Sequence, residues 1–191
     1  MAQTRCYHFL VTCSGYVLVG GRSSRMGRDK ARLPFRGATL AEAVAAEVRR
    51  AAGSAILVGN AGLGGIPDLY PGEGPLGAII TALRHTAADW NLVVACDMPA
   101  ADANFLRRLL DAAAEGDADA LLPRTPGGLP EPLCAVYHRR ALGVIEGNFG
   151  RGVRKVTSGL EGLAAVFLEV EEVSCFQNVN TPEDWALHAA E

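Results

Sequence analysis

Short apolar segments alternate with longer amphipathic segments along the chain. The apolar runs predict strands at residues 16–19, 55–58, 92–95, 120–122, 133–137 and 164–170. The segments between them predict helices at residues 39–52, 75–86, 102–114, 139–148 and 152–158, with one more helix after Thr181. Strands that alternate with helices are typical of an α/β fold in which a mostly parallel sheet is covered on both faces.

Local signals mark the ends of three of these helices. Thr39 and Glu42 have the spacing of a capping box, and Gly53 is a typical residue for the end of the same helix. Pro75 suits the first position of the next helix, and Asp102 suits the N-cap of the one that follows. These residues predict where the three helices begin and where the first one ends.

The composition of the 191-residue chain indicates a globular domain with its own core. With 49% apolar residues, 20% charged residues and a net charge of −3, the chain is neither disordered nor suited to bind nucleic acid through a basic surface. No apolar run approaches the roughly 18 residues of a membrane helix, and we expect neither a membrane span nor a signal peptide. The five cysteines form no C-x-x-C pair, so we expect no zinc site, no disulfide framework and a cytoplasmic location.

A glycine-rich loop with several cations follows the first predicted strand, at residues 20–30. Its glycines allow close approach of a phosphate, and Arg25 and Lys30 can neutralise phosphate oxygens. Lys30 is one of only two lysines beside sixteen arginines, which hints that a compact ammonium group is required there. The loop matches neither a P-loop nor the G-x-G-x-x-G fingerprint. We interpret it as a phosphate-binding loop, with a plain solvated loop as the alternative.

Three further segments lie where an α/β sheet binds ligands, beyond the carboxyl ends of its strands. Asp97 follows the third strand and could either hold a divalent cation or cap a turn, and its position alone favours neither. The stretch at residues 68–77 contains a helix N-terminus, which favours anions, but taken alone it is better explained as a plain loop-to-helix junction. Helix capping explains residues 181–184 but leaves Asn178 and Asn180 without an assigned role.

Taken together, these motifs resemble the nucleotidyltransferase family that contains the bacterial molybdenum cofactor guanylyltransferases. The segment at residues 18–30 matches the family pattern Leu-x-Gly-Gly-x-Ser-x-Arg-Met-Gly-x-Asp-Lys in order and spacing. The resemblance continues through Asp68, residues 74–77, residues 96–99, residues 132–133 and residues 178–182. It implies a three-layer Rossmann-like α/β fold with a mostly parallel sheet. Residues 14–191 are expected to form one nucleotidyltransferase domain, and residues 1–13 an N-terminal extension of unknown role.

The resemblance implies a role for each residue that matches the family pattern. It implies that Lys30 and Arg25 face the triphosphate, that Asp97 binds Mg²⁺, and that these three residues carry catalysis. Asn178 and Asn180 are implied on the acceptor side, and Asn180 is also a candidate for a second contact with the metal. The residues implied to contact the nucleotide are Leu18, Val19, Gly20, Gly21, Lys30, Asn60, Asp68 and Asp97.

Two features favour guanine over cytosine as the base. Cytidylyl relatives usually carry Ala-Gly where this chain has Gly20 and Gly21, and they lack the Gly-Pro-Leu turn near Gly74. One position departs from the pattern, because some guanylyltransferases have Asn after the second strand where this chain has Val58. Asn60 lies on the same side two residues later and takes over the contact, or the contact is lost.

The reaction implied by the resemblance moves GMP from GTP to the phosphate of molybdenum-bearing molybdopterin. It releases pyrophosphate and forms molybdopterin guanine dinucleotide, with Mg²⁺ as cofactor and with a molybdoenzyme or its chaperone as a further partner. Alternatives are cytidylyl transfer to the same acceptor and guanylyl transfer to another small phosphate. A more remote alternative is a non-catalytic nucleotide-binding chaperone, and the presence of both Lys30 and Asp97 argues against it.

Overall fold

A six-stranded sheet forms the centre of the computed structural model, which describes residues 12–20, 29–59, 61–171, 173–177 and 179. A separate two-stranded hairpin lies beside it. The strands are β1 (Cys13–Leu18), β2 (Pro34–Phe35), β3 (Ala38–Thr39), β4 (Ile56–Val58), β5 (Trp90–Ala95), β6 (Ala120–Arg124), β7 (Cys134–His138) and β8 (Ala165–Glu169). Each of the six predicted strands is therefore confirmed, with shifts of one or two residues at most ends.

The order of strands in the main sheet is β4-β1-β5-β7-β6-β8. β1 is parallel to both of its neighbours, and β6 is parallel to β8. β7 alone runs against its neighbours β5 and β6, so the sheet is mostly parallel, as predicted. All six residues of β5 are buried because this strand is covered on both faces, which explains why it reads as a continuous apolar run.

Helices cover both faces of the sheet and produce three layers. The helices are α1 (Leu40–Ala52), α2 (Pro75–His85), α3 (Ala103–Ala114), α4 (Leu142–Gly150) and α5 (Val156–Gly159). α1 and α3 pack with Val17 of β1 in one core, and α2, α4 and α5 pack with Tyr16 and Leu18 in a second core. Alternate residues of β1 thus belong to different cores, as the period of a strand requires. No helix within the described ranges is long and apolar enough to span a membrane.

The predicted helix ends are confirmed where a cap was read from the sequence. Thr39 caps α1, and its N–H donates to Glu42 Oε2 at 2.8 Å, which completes the capping box. Gly53 ends α1 in the left-handed region. Asp102 accepts a hydrogen bond from the N–H of Phe105 at 2.8 Å and so caps α3. α2 begins at Pro75, as predicted. These caps succeed as predictions because they depend on residues four positions apart or fewer.

Of the three helices predicted after β7, the first two are shorter in the structure, and the third, after Thr181, lies outside the described residues. A 3₁₀ turn at Arg139–Ala141 precedes α4, and the ring of His138 accepts a hydrogen bond from the N–H of Arg140 that holds this turn. α4 therefore starts three residues later than predicted. Within the predicted helix at residues 152–158, only the part that forms α5 is helical, because the chain first turns at Gly152, where the N–H donates to Phe149 O.

Candidate active site at the carboxyl edge of the sheet

Three parallel strands end side by side at one edge of the sheet. Leu18 at the end of β1 pairs with Val58 of β4 and with Ala95 of β5. The pairing continues one residue further, where the N–H of Val19 donates to Val58 O at 2.7 Å and the N–H of Cys96 donates to Leu18 O at 3.0 Å. The residues that follow these strands therefore lie together, and this is the edge at which α/β sheets bind ligands.

Two cavities open at this edge and adjoin each other. The smaller, of about 220 Å³, is lined by Gly20, Asp29, Lys30, Ala31, Ala95, Cys96, Asp97 and Leu133. The larger, of about 740 Å³, is lined by Val19, Val58, Gly59, Asp68, Pro71, Gly72, Gly74 and Ala78. Leu18, Gly20 and Pro75 border both. A nucleotide that enters the larger cavity can therefore reach the smaller one without leaving the sheet edge.

Lys30 and Asp97 form an ion pair in the smaller cavity. Lys30 Nζ lies 3.6 Å from Asp97 Oδ2, and the two side chains are 18% and 25% exposed. Lys30 begins a short 3₁₀ helix, Lys30–Arg32, which Asp29 caps by accepting a hydrogen bond from the N–H of Ala31 at 3.1 Å. The cap fixes the direction in which the chain returns to the sheet edge and brings Lys30 opposite Asp97. The structure thus brings together two of the residues that the sequence singles out.

The segment near the C-terminus also reaches Asp97. The N–H of Val179 donates to Asp97 O at 2.9 Å, and the Val179 side chain is buried against Phe35 and Leu40. The backbone of Val179 therefore lies beside Asp97, and Val179 is the residue between Asn178 and Asn180 in the sequence. Asn178 and Asn180 are themselves outside the described residues, and so are Gly21, Arg25 and Asn60.

Asp68 lies in the wall of the larger cavity and is held by α2. Its Oδ1 accepts a hydrogen bond from the N–H of Tyr70 at 3.0 Å and lies 2.8 Å from the hydroxyl oxygen of Thr81. Thr81 is a buried residue of α2 and was not singled out from the sequence. A threonine inside an amphipathic helix gives no local signal of function, and its partner Asp68 is 13 residues away.

Two ionisable groups close to Asp97, the thiol of Cys96 and the carboxyl of Glu131, have raised pKa values. Burial raises the pKa of Cys96 to about 12, with further contributions from the charges of Asp97 and Asp29. Cys96 is therefore a packing residue of the core rather than a nucleophile. Burial also raises the pKa of Glu131, and the charge of Asp97 adds to the shift. Glu131 accepts a hydrogen bond from the N–H of Leu133 at 3.1 Å and was missed in the sequence.

The donor set of the smaller cavity suits a magnesium ion that also binds substrate phosphates. The described residues contain no group of three or more His, Cys, Asp or Glu that could enclose a metal. Mg²⁺ does not need such a cage, because it usually takes one or two carboxylates and completes its shell with phosphate oxygens and water. Asp97 and Asp29 both line this cavity and supply carboxylates of that kind.

Comparison with known proteins identifies the family. The MobA-like NTP transferase domain matches residues 15–165. A probable molybdenum cofactor guanylyltransferase of Opitutus terrae is 35% identical over 90% of this chain and 92% of its own length. The crystal structure of molybdopterin-guanine dinucleotide biosynthesis protein A from Archaeoglobus fulgidus superposes with a TM-score of 0.80, at 30% identity, over 93% of this chain and 97% of that one.

A more distant structure shares the fold alone. The 2-C-methyl-D-erythritol 4-phosphate cytidylyltransferase of Thermus thermophilus has a TM-score of 0.68 at 17% identity, and the match covers 92% of this chain and 96% of that one. The Rossmann-like sheet, the motifs at its carboxyl edge and these similarities agree. The chain belongs to the MobA-like NTP transferase domain family.

Proposed function

We propose that this protein is a guanylyltransferase that moves GMP from GTP to the phosphate of molybdenum-bearing molybdopterin. The reaction uses Mg²⁺, releases pyrophosphate and forms molybdopterin guanine dinucleotide. The observation that carries the proposal is the Lys30–Asp97 ion pair in a cavity at the carboxyl edge, next to a second cavity large enough for a nucleoside. The names of the relatives support the choice of base and acceptor.

We assign the base and ribose to the larger cavity and the phosphates to the smaller one. Asp68 is an acceptor-only group in the larger cavity and suits the N–H donors of guanine. The N-terminus of α2 begins at Pro75, which borders both cavities, and the backbone amides of a helix N-terminus favour anions. The ammonium group of Lys30 supplies a positive charge to the smaller cavity. Arg25, Gly21 and Asn60 remain assigned to the nucleotide by the sequence pattern.

The proposed chemical step is an in-line displacement at the α-phosphorus of GTP. An oxygen of the acceptor phosphate forms the new bond to this phosphorus. The bond from the phosphorus to the oxygen that bridges to the β-phosphate breaks, and its electron pair leaves with pyrophosphate. The step needs correct placement of two anions and neutralisation of the charge that develops between them, and it needs no covalent intermediate on the protein.

Lys30 and Asp97 each gain a new partner when substrate binds. Without substrate each neutralises the other across 3.6 Å. With GTP bound, the Lys30 ammonium would face the triphosphate, and Asp97 would hold the cation, with Asp29 in the same cavity as a second carboxylate. Mg²⁺, when bound there, supplies positive charge at the phosphate oxygens. The ion pair therefore keeps both side chains aimed into the cavity before substrate arrives.

Asn178 and Asn180 are proposed to contact the acceptor, and Asn180 is also a candidate for a second contact with the cation. The hydrogen bond from Val179 to Asp97 supports this assignment because it places Val179, the residue between the two asparagines in the sequence, beside a residue that lines the phosphate cavity. A molybdoenzyme or its chaperone would receive the product. Free thiols at Cys13, Cys96, Cys134 and Cys175 support a reducing compartment such as the cytoplasm.

Pyrophosphate release tests the proposal directly. The purified protein is mixed with Mg²⁺ and molybdenum-bearing molybdopterin, GTP is compared with CTP, and the acceptor is omitted in a control. We expect release that requires both GTP and acceptor. Release with CTP alone would contradict the base assignment. Absence of release from folded protein with either nucleotide would contradict the reaction and favour another phosphate acceptor or the non-catalytic alternative.

Substitution of Asp97 tests the role of the ion pair. We expect Asp97→Asn to lower kcat by about 10²-fold or more, since it removes a carboxylate that would hold the cation, and the cation neutralises the charge that develops on the phosphates. Asp111→Asn is the matched control, because Asp111 is an exposed carboxylate of α3 and lies outside the lining of both cavities. Full turnover by Asp97→Asn would contradict the catalytic role of Asp97.

A further inference from the structure

The segment that carries Asp68 has little regular structure of its own. Residues 64–74 connect a short 3₁₀ helix, Ala61–Leu63, to α2 and belong to no helix or strand apart from a single bridge between Ile66 and Val58. The orientation of a side chain in such a loop depends on its contacts with neighbouring elements. For Asp68 those contacts determine which direction its carboxylate oxygens face in the nucleotide cavity.

Thr81 supplies the contact that comes from a rigid element. It is 2% exposed and sits in the middle of α2. Its hydroxyl oxygen accepts a hydrogen bond from the N–H of Leu69 at 3.0 Å and lies 2.8 Å from Asp68 Oδ1. The same hydroxyl oxygen is 3.0 Å from Gly77 O. A hydroxyl has one proton to give, and the charged carboxylate is both the nearer and the stronger acceptor. The proton therefore goes to Asp68.

Both hydrogen bonds that the structure describes on the Asp68 carboxylate fall on Oδ1. One comes from the N–H of Tyr70 and the other from Thr81, so they fix the plane of the carboxylate as well as its position. Guanine offers two adjacent donors on one edge, N1–H and the 2-amino group. Because Oδ1 already accepts two hydrogen bonds, Oδ2 is the oxygen left to accept from this edge, and it can do so only if the plane of the carboxylate is aligned with the base. Cytosine and adenine present an acceptor beside their amino group, which a carboxylate repels.

We infer that Thr81 is a positioning residue for base selectivity: its buried hydroxyl orients Asp68 so that the carboxylate can pair with the guanine edge. This inference rests on the proposed function and on the assignment of Asp68 to the base. Thr81 itself is outside the lining of the larger cavity and acts through Asp68. It therefore affects which nucleotide binds, and it has no part in the transfer step at Lys30 and Asp97.

The loop has other anchors, so loss of the Thr81 hydroxyl does not release it. The ring of Tyr70 lies 4.7 Å from the ring of Phe149, centroid to centroid. Glu73 forms an ion pair with Arg154, and the Arg154 guanidinium stacks at 3.9 Å over the Phe149 ring. These contacts tie the loop to α4 and to the segment that follows it. Removal of the hydroxyl is therefore expected to turn the carboxylate while the loop stays in place.

The test compares binding of GTP with binding of ITP, whose base lacks the 2-amino group. Thr81→Val keeps the volume of the side chain and removes the hydroxyl, Thr81→Ser restores the hydroxyl, and Asp68→Asn removes the carboxylate charge. Thr157→Val changes an exposed threonine of α5 and is the matched control. Affinities are measured by titration calorimetry, and the fold of every variant is checked by circular dichroism and thermal melting.

We expect the wild type to prefer GTP over ITP and Thr81→Val to lose about tenfold of this preference, the usual effect of a lost hydrogen bond to a charged group. In Thr81→Ser and in Thr157→Val, the ratio of the affinity for GTP to the affinity for ITP should stay within about twofold of the wild-type ratio. In the transfer assay Thr81→Val should raise KM for GTP and leave kcat nearly unchanged. A purely structural role would not produce this division or the rescue by serine.

Each of the other possible results contradicts a different step of the reasoning: the role of Thr81, the assignment of the base to Asp68, or the proposed function. An unchanged GTP preference in folded Thr81→Val, when Asp68→Asn loses it, overturns the role of Thr81 and leaves the proposed function intact. An unchanged preference in Asp68→Asn overturns the assignment of the base as well. A wild type that does not bind GTP overturns the proposed function before any variant is considered, and the inference with it. If Thr81→Val does not fold, Thr81→Ala and Thr81→Cys provide the same comparison.

Discussion

Gly59 lies where β4 and β1 approach each other most closely at the mouth of the larger cavity. Its φ is +104°, and a Cβ at this position would be 2.3 Å from the carbonyl oxygen of Val19. The N–H of Gly59 donates to Ile66 O at 3.0 Å, so the residue cannot move away without breaking this bond. Gly59→Ala should therefore push the Val19 carbonyl outward by about 1 Å to reach an ordinary contact distance.

The expected loss of stability combines backbone strain with this clash. A positive φ costs a residue with a Cβ about 1–3 kcal/mol, and overpacking against the backbone adds about 1–3 kcal/mol. The alanine recovers about 0.4–1 kcal/mol through the lower entropy of the unfolded chain. We therefore expect Gly59→Ala to lower the free energy of unfolding by about 2–5 kcal/mol.

Gly53→Ala separates the two contributions. Gly53 has a φ of +78°, but a Cβ there would meet nothing within 4 Å. Gly53→Ala should therefore lower the free energy of unfolding by about 1 kcal/mol, from backbone strain alone. If the free energies of unfolding of the two variants differ by about 2 kcal/mol, the thermal midpoint of Gly59→Ala should be about 4–8 °C lower than that of Gly53→Ala in a chain of this size.

Urea and thermal unfolding measure the stabilities, and titration with GTP measures binding. Val19 and Gly59 line the larger cavity whereas Gly53 lies at the end of α1, so only Gly59→Ala should weaken binding. Equal stability and equal GTP affinity in the two variants would refute the argument. That result would mean that the chain relieves the contact at Val19 without cost and that the shape of the cavity does not depend on it.

Two further predictions concern ionisation. The hydrogen bonds from Thr39 lower the pKa of Glu42 below 4.5, so the stabilisation by this carboxylate is present above that pH and is lost as the pH falls through the lowered pKa. In urea unfolding from pH 7 to pH 3, the midpoint of the wild type should thus be higher than that of Glu42→Gln at neutral pH, and the difference between the two midpoints should vanish in acid. The midpoint of Glu115→Gln, a substitution at an exposed site, should equal that of the wild type at every pH. Because burial raises the pKa of Cys96 to about 12, iodoacetamide at pH 8 should leave this thiol unmodified in the native protein and alkylate it in urea, as peptide mass spectrometry would report. Rapid native labelling of Cys96 would contradict the second prediction, and a pH-independent gap at Glu42 the first.

The features that could be predicted from the sequence are those determined by nearby residues. The caps of α1 and α3 follow from side chains that accept hydrogen bonds from backbone N–H groups within one turn, and the first position of α2 follows from the fixed φ of Pro75. The positions of β1 and β5 could be predicted because each strand is a short apolar run bounded by glycine or an acidic residue. The meeting of Lys30 and Asp97 follows from one further rule, that parallel strands end at the same edge of a sheet.

The features that could not be predicted depend on contacts between distant segments. The direction of β7 is an example, because five apolar residues carry no signal of which way the strand runs. The hairpin of β2 and β3 is another, since its turn places Arg36 at a φ of +46°. Few side chains other than Gly, Asn and Asp favour that region, so nothing in the local sequence indicates it. Thr81 is a third, because only the tertiary structure brings it to Asp68.

The site contains residues whose position follows from the order of the strands and residues whose position does not. Lys30 and Asp97 are of the first kind. The chain passes from β1 to β4 through α1 on one face, and from β4 to β5 through α2 on the other face. These connections diverge at β1 and leave a crevice between the ends of β1 and β5, where Lys30 meets Asp97. Any chain with this strand order has such a crevice, and a ligand can bind there between the ends of β1 and β5.

Base selectivity must come from a part of the site that the strand order does not determine. The part of the loop at residues 68–74, which enters α2, is such a part, because its described side-chain contacts are with α2, with α4 and with Arg154 beyond α4. On the proposed assignment of Asp68 to the base, a change of the bond between Thr81 and Asp68 would alter the preferred base without disturbing Lys30 or Asp97. The proposal therefore assigns the chemistry and the choice of nucleotide to different elements of this chain, so that a substitution in one can leave the other unchanged.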